Sequence, residues 1–335
     1  MQILRRLSLF LEFPFYLFFM LFIHQYPDWT NFRFAKKAVL DKLCRVRFAQ
    51  GELRGKSTLA ISKATAESIQ QEDFESLLKI DGKDSPPPTL FSAARNFSLP
   101  MTEKRLFSLH ASLFQNGGYY RKSANNKSIS FSGVSTERIP REIQKWILYF
   151  NDSTTDAVLK AAIVHFWILT IRPFGFGNGI LARLFCDMLL SKSENSPIHF
   201  YALNKEIFQD RDSYFEILYK SQTSNGDITE WILWFLSKLE TSLSNAGQNL
   251  QKQFALAKRQ LSFSGVAFHE REQALIEDFL KNPEKEISSS EWALNAGISH
   301  DSALRDLNDL VQKNILSKSA GKGRNTRYRL NSEKV

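Results

Sequence analysis

Thr170-Ile171-Arg172-Pro173-Phe174-Gly175-Phe176-Gly177-Asn178-Gly179-Ile180-Leu181-Ala182-Arg183 joins two apolar runs, and its reading decides the fold. Ahead of it, Ala161 to Ile171 has the spacing of a buried helix, with Ala162, His165, Phe166 and Leu169 recurring on one side. Pro173 and three glycines (Gly175, Gly177, Gly179) then break the pattern, and a second apolar helix begins near Ile180. A helix, a glycine-rich turn and a further helix gather backbone N–H groups at one helix N-terminus, where they and the helix dipole favour an anion. A tight helical hairpin, its glycines serving steric needs alone, fits these residues equally well.

The rest of the chain has the composition of an ordinary globular protein. At 335 residues it is long enough for two or three domains, and its apolar and charged fractions, 43% and 24%, exclude bulk disorder. The net charge of +9, spread over the whole length, is compatible with an acidic or nucleic-acid partner without singling one out. Cys44 and Cys186 sit in helical patterns and offer neither a disulfide framework nor zinc spacing, so a reducing cytoplasm is the expected compartment. Leu7 to Phe22 is apolar behind Arg5 and Arg6, but Glu12 and Pro14 interrupt it and it falls short of the roughly 20 residues a spanning helix needs. Weak membrane association through residues 7–22 is the alternative.

Helical periodicity continues on both sides of the central stretch. Ala35 to Leu59 and Ile61 to Ile80 read as helices, and Asp84 to Pro88 as a proline-rich linker. Phe91 to Phe114 returns to helix, Gln115 to Ser132 is polar with a short Ile129-Ser130-Phe131 strand signal, and Glu137 to Phe150 is a strong amphipathic helix. Asp152-Ser153-Thr154 is expected to cap the helix that follows. Tyr201 to Tyr219 and Thr229 to Leu243 are further helices, and Gln248 to Leu261 a polar helical connector. Near the C-terminus, Ser290 to Ala296, a Gly297 turn and His300 to Lys313 spell helix–turn–helix, and Ile315 to Leu330 a β-hairpin.

The central stretch resembles the active-site loop of the Fic/DOC (Fido) family, H-x-F-x-[D/E]-G-N-G-R-x-x-R, through Phe174, Gly177, Asn178, Gly179 and Arg183. Members mostly transfer AMP from ATP to a protein hydroxyl. Met20 to Phe34 resembles an N-terminal region often attached to Fic domains, and Asp227-Ile228-Thr229-Glu230-Trp231 the family's D-I-T-x-W segment. The resemblance implies a mainly α fold: a Fido helical bundle with a short β-hairpin flap, plus a C-terminal winged helix-turn-helix. The expected divisions are a hydrophobic extension at 1–19, which a start at Met20 would remove, an N-terminal helical region at 20–90, the Fic core at 91–245, a connector at 246–267 and the winged helix at 268–335.

The same resemblance places Arg172 at the catalytic histidine, Phe176 at the acidic metal ligand and Ile180 at the first arginine. A guanidinium stays protonated and cannot act as the general base, and Phe176 offers no oxygen to Mg²⁺. Catalysis is therefore expected to be impaired, with ATP as the candidate ligand and Mg²⁺ not expected. Phe174, Gly177, Asn178, Gly179, Arg183, Tyr214 and Phe215 are the implied nucleotide contacts. Relatives carry an inhibitory glutamate that pairs with the second arginine; Glu67 is the nearer match, Asp81-Gly82 the poorer one because aspartate reaches one methylene less. The flap implies a target protein as partner, and Lys322, Arg324 and Arg327 on the wing imply DNA, with homodimerisation or protein docking as alternative uses of that module. An active AMP- or phosphate-transferase with an altered motif and a winged-helix DNA-binding regulator are the alternative functions.

Overall fold

The computed structural model describes residues 21–60, 62–83, 90–92, 96–123, 133–152, 154–262, 266, 268–282, 284–319 and 326–331. The chain divides after Gly247 into two units. The first contains α1 (Lys36–Ala60), α2 (Lys63–Lys79), α3 (Glu103–Leu113), α4 (Ile139–Asn151), α5 (Ala157–Ile171), α6 (Asn178–Glu194), α7 (Leu203–Gln209), α8 (Arg211–Gln222) and the start of α9 (Thr229–Ser262). The second contains the end of α9, then α10 (Glu270–Lys281), α11 (Ser289–Ala296), α12 (His300–Gln312) and the strands β1 (Leu316–Lys318) and β2 (Tyr328–Leu330).

Helix α5 is the axis of the first unit. Asp156, rather than the expected Asp152-Ser153-Thr154, is its N-cap: the Asp156 carboxylate accepts from the amides of Val158 and Leu159, while Asp152 accepts from Thr154 and Thr155 in the turn before it. Every residue from Val158 to Ile171 is buried, as befits a helix apolar all round. Neighbouring helices are fixed to its backbone by indole donors, Trp146 Nε1 of α4 to the Val164 carbonyl and Trp231 Nε1 of α9 to the Ala162 carbonyl. The N-terminal segment closes the bundle from outside: Trp29 and Phe32 meet Trp167 edge-on, and Arg33 exchanges backbone hydrogen bonds with Gly226 and Ile228. Residues 20–90 and the Fic core therefore fall within one unit.

Several boundaries differ from the sequence reading. The run Tyr201 to Tyr219 breaks at Asp210 into α7 and α8, and α9 runs unbroken through the expected connector to Ser262. Residues 1–19, the linker Asp84 to Pro88, the Ile129-Ser130-Phe131 strand signal and the hairpin tip with Lys322 and Arg324 lie outside the described residues. None of the described helices is long and apolar enough to cross a membrane. In the second unit, α11 ends on Gly297 in the left-handed conformation, Ser299 caps α12, and β1 pairs antiparallel with β2 while Ile287 bridges to Tyr328. Its core is Phe279, Leu307, Leu310, Ile315 and Tyr328.

Helix α2 docks through a buried carboxylate. Asp73 accepts from the backbone amide of Asn204 and from its side chain, each at 2.6 Å, at the start of α7. Burial and, next, the neighbouring charge of Asp187 on α6 push the Asp73 carboxyl up to about 7. An acid whose folded pKa is raised binds its proton more tightly when folded, so its stabilising contribution is whole below the unfolded value near 3.9 and declines as pH rises towards 7. The expected slope is on the order of 1 kcal/mol per pH unit in that window. Asp73→Asn should flatten it, and denaturant unfolding of both proteins at pH 5 and pH 8 reads this directly; an unchanged slope would refute the assignment.

Candidate functional site

The turn between α5 and α6 is built by constraints from three directions. Arg172 ends α5 in the left-handed conformation, φ 49° and ψ 64°. Arg121 holds that corner: its backbone amide donates to the Pro173 carbonyl, and its Nε donates to the Arg172 carbonyl at 2.7 Å. Asn178 then folds its side chain back on the turn, accepting from Phe174 N at 3.0 Å and donating to Phe174 O at 2.8 Å. On the core side, His110 accepts from Gly118 N through Nδ1 and donates through Nε2 to the Phe176 carbonyl. Its ring lies flat on Phe174, with centroids 3.9 Å apart. Burial lowers the His110 pKa, which matches the neutral tautomer these bonds require.

Gly177, φ 74°, starts α6, and a Cβ there would lie 2.3 Å from the Phe114 ring. Leu181 is the first residue to bond back, to Gly177 O, so the amides of Asn178, Gly179 and Ile180 have no intrahelical acceptor. They open onto a cavity of about 480 Å³, whose charged lining residues are Arg172, Arg183, Lys83 and Asp81, and whose other wall includes Tyr214, Phe215, Tyr219 and Gln222.

Arg183 is 1% exposed. Its Nη2 donates to the Leu77 carbonyl at 2.9 Å and to Asp81 Oδ2 at 2.5 Å, and the guanidinium also donates to the Tyr214 hydroxyl. Asp81 follows the end of α2, and its carboxylate comes so close to α6 that a Cβ on Gly179 would lie 2.8 Å from Oδ2. The partner of the second arginine is therefore Asp81, not Glu67. Glu67 is exposed, ten residues before Leu77 on α2, or about 15 Å along the helix axis. The shorter reach of aspartate is offset by the absence of a side chain at 179.

The other sequence-derived residues sort by position. Gly177, Asn178, Gly179, Arg183, Tyr214 and Phe215 line the cavity together with Arg172. Phe174 does not: it is fully buried against His110 and supports the turn from behind. Asn178 contributes its backbone, since its side chain is occupied. Tyr214 is buried with its hydroxyl 2.9 Å from His165 Nε2, and burial pushes its phenol up to about 12. Burial and the Arg183 charge lower His165 to about 3, leaving it a neutral core residue. Phe176 is half-exposed at the mouth against His110 and Phe114, and Ile180 is buried. Lys83, Arg121 and His110 carried no sequence signal: two lie in segments without a motif, and Arg121 acts only through carbonyls brought to it by folding.

A Fic/DOC family model matches residues 100–190, and a model of a domain of unknown function (DUF4172) matches residues 22–79. Over residues 100–190 the chain is thus similar to Fic/DOC family proteins. Protein adenylyltransferase Fic of Nematostella vectensis is 33% identical over 100 residues, which is 28% of this chain and 22% of that protein. Protein adenylyltransferase fic-1 of Caenorhabditis elegans is 31% identical over 71 residues, 20% of this chain and 14% of that protein. The matched segments thus span less than a quarter of these curated relatives. A solved Fic family protein from Desulfovibrio desulfuricans G20 shares the fold, with a TM-score of 0.54 and 17% identity over 88% of this chain and 96% of that one. The mainly helical Fic fold is common to both.

The metal that the Fic family implies does not fit the residues here. Asp81 is the sole carboxylate lining the cavity among the described residues, and it is held by a guanidinium; no cluster of described residues offers three metal-ligating side chains. The strain built into the Fic turn is measurable. Gly177→Ala should cost about 2 kcal/mol or more, from its positive φ and the Phe114 contact. Gly175→Ala, whose Cβ meets nothing within 4 Å, should stay within about 0.5 kcal/mol. Equal midpoints in denaturant would contradict this geometry.

Proposed function

We propose that this chain is a Fic-fold nucleotide-binding protein that does not turn over AMP transfer, with its anion site held in a restrained state by Asp81. The observation that carries the reading is the composition of the cavity wall. It retains the amides of α6 that lack helical acceptors and the Arg183 guanidinium, yet among the described lining residues there is no histidine, and the one carboxylate, Asp81, is engaged by that guanidinium. At the position the family gives to its base stands Arg172; burial pulls its pKa down, but a guanidinium remains protonated. Without a positioned base alone, transfer falls by roughly 10²- to 10⁴-fold, and the one carboxylate among the described lining residues, Asp81, is paired with Arg183 rather than open to a metal. Binding survives these losses because it needs only the cradle and the aromatic wall.

Transfer from adenine-labelled ATP to protein separates this reading from that of an active enzyme. The native chain should give no label above background. The combined variant Arg172→His, Phe176→Asp, Ile180→Arg should gain on the order of 10²-fold or more. Label transfer by the native chain would overturn the reading, and calorimetry with millimolar ATP, ADP and AMP showing no heat would remove the binding half of it.

A second reading concerns the C-terminal unit, which we assign as a winged helix. Its support is the succession α11, Gly297, α12 and the β1–β2 hairpin, with Ile287 bridging onto Tyr328. Lys318 and Arg329 are exposed on that hairpin, while Arg327 is exposed and paired with Glu291. On α12, Asp301 and Arg305 are both exposed, so the helix does not present a uniformly cationic face. If the hairpin contacts DNA phosphates, log affinity should fall linearly with log salt, and Arg329→Ala should reduce that slope by about 1. Absence of salt-sensitive DNA binding would leave protein docking as the use of this unit.

A further inference from the structure

We infer that a second, internal cavity between α2, α5, α6 and α7 binds one ordered water molecule, which accepts a hydrogen bond from His165 and donates one to Asp187.

This cavity has a volume of about 10 Å³, close to the least that admits a single water. Its lining includes Asp73, His165, Arg183, Asp187, His199 and Asn204. Two of these residues have an orphaned atom. His165 Nδ1 and Asp187 Oδ2 are both buried, and neither has a hydrogen-bond partner among the described residues. A buried polar atom left unpaired bears the whole cost of its desolvation, and native interiors keep few of them. Cavities that stay dry are lined by apolar groups, whereas this one is lined by carboxylates, imidazoles and an amide. Two orphans on one polar cavity of this size share one small partner.

The direction of each bond follows from the groups behind the orphans. Tyr214 on α8 places its hydroxyl 2.9 Å from His165 Nε2. That hydroxyl also accepts from the Arg183 guanidinium, which has only donors to offer. The phenol proton is then left for Nε2, and the ring proton belongs on Nδ1. Burial and, next, the Arg183 charge lower the His165 pKa to about 3, so the ring is neutral and a single nitrogen carries a proton. His165 Nδ1 is therefore a donor. Asp187 Oδ1 lies 3.1 Å from His199 Nε2. Burial lowers the His199 pKa, but Asp187 and Glu194 together raise it well above the ordinary value, so the pair is ionic and Oδ2 can only accept. Water alone among common small molecules of this size accepts from the first atom and donates to the second.

The bridge would close a circuit on α6. Arg183 and Asp187 stand one turn apart on that helix. From Arg183 the bonds pass to Tyr214 on α8, to His165 on α5, through the water, and back to Asp187. The circuit ends beside Asp73, through which α2 is docked.

The test is a crystal structure of the full chain fine enough to show ordered water, joined to nuclear magnetic resonance of the protein carrying isotope-labelled histidine. One isolated peak should lie within about 3 Å of both His165 Nδ1 and Asp187 Oδ2. The His165 ring should carry its proton on Nδ1, and that proton should show cross-relaxation with water. His165→Phe keeps a ring against Tyr214 and Trp231 but removes both nitrogens, and it should lose the peak. A peak unmoved in that variant would overturn the bridge, because the acid cluster alone would then hold the water. A featureless cavity in the native protein would overturn the site. So would a peak ringed by oxygens at about 2.3 to 2.6 Å, the distances of a calcium ion. A ring proton on Nε2 would overturn the direction assigned to the bonds.

Discussion

A guanidinium taken out of water demands partners, and Arg183 obtains them from outside its own helix. The compensation comes from the end of α2, through the Leu77 carbonyl and the Asp81 carboxylate, and a buried charge without such partners would cost several kcal/mol. That single requirement fixes much else. It sets where α2 must end, it forbids a side chain at Gly179, and it brings Lys83 to the rim of the cavity. Trimming Asp81 would leave the opposite charge buried, so the position of α2 and the integrity of the cavity wall depend on the same contact.

Farther along the same two helices the electrostatics have the opposite sign. Asp73 and Asp187 face each other in the interior, and Asp187 also lies 3.1 Å from His199, whose pKa burial lowers but its two carboxylate neighbours, Asp187 and Glu194, raise well above the ordinary value. Asn204 and Lys205 donate to Asp73 from the start of α7. The α2–α6 seam therefore combines one attractive pair with one tense cluster a few turns away. Its strength varies with proton occupancy over the pH range in which a cell operates.

The helices were legible wherever burial is one-sided or complete: α4, α5, α6 and α12 announce themselves by periodicity, and the glycine turn by composition. What the residues on either side of a break will do was less so. Asp210 divides one expected helix, whereas nothing breaks α9 where a connector was expected. The turn's own residues could be read because the anion cradle is local, made by neighbours in sequence. Asp81 could not, because its reach depends on a missing Cβ 98 positions away, whereas Glu67 fits the family's inhibitory pattern better in local sequence. His110 and Arg121 were invisible for the same reason: they act by supporting backbone atoms of a distant turn.

The left-handed backbone at Arg172 has an implication for how such a protein can change over evolutionary time. Arginine, histidine and asparagine can all occupy that conformation, whereas a β-branched residue cannot do so without strain. Because Arg121 holds the corner through carbonyl oxygens, the corner is indifferent to which of those side chains it presents. Loss of a base at this position is then a change in chemistry with no change in architecture. A lineage can pass through such an exchange in either direction without crossing an unfolded intermediate.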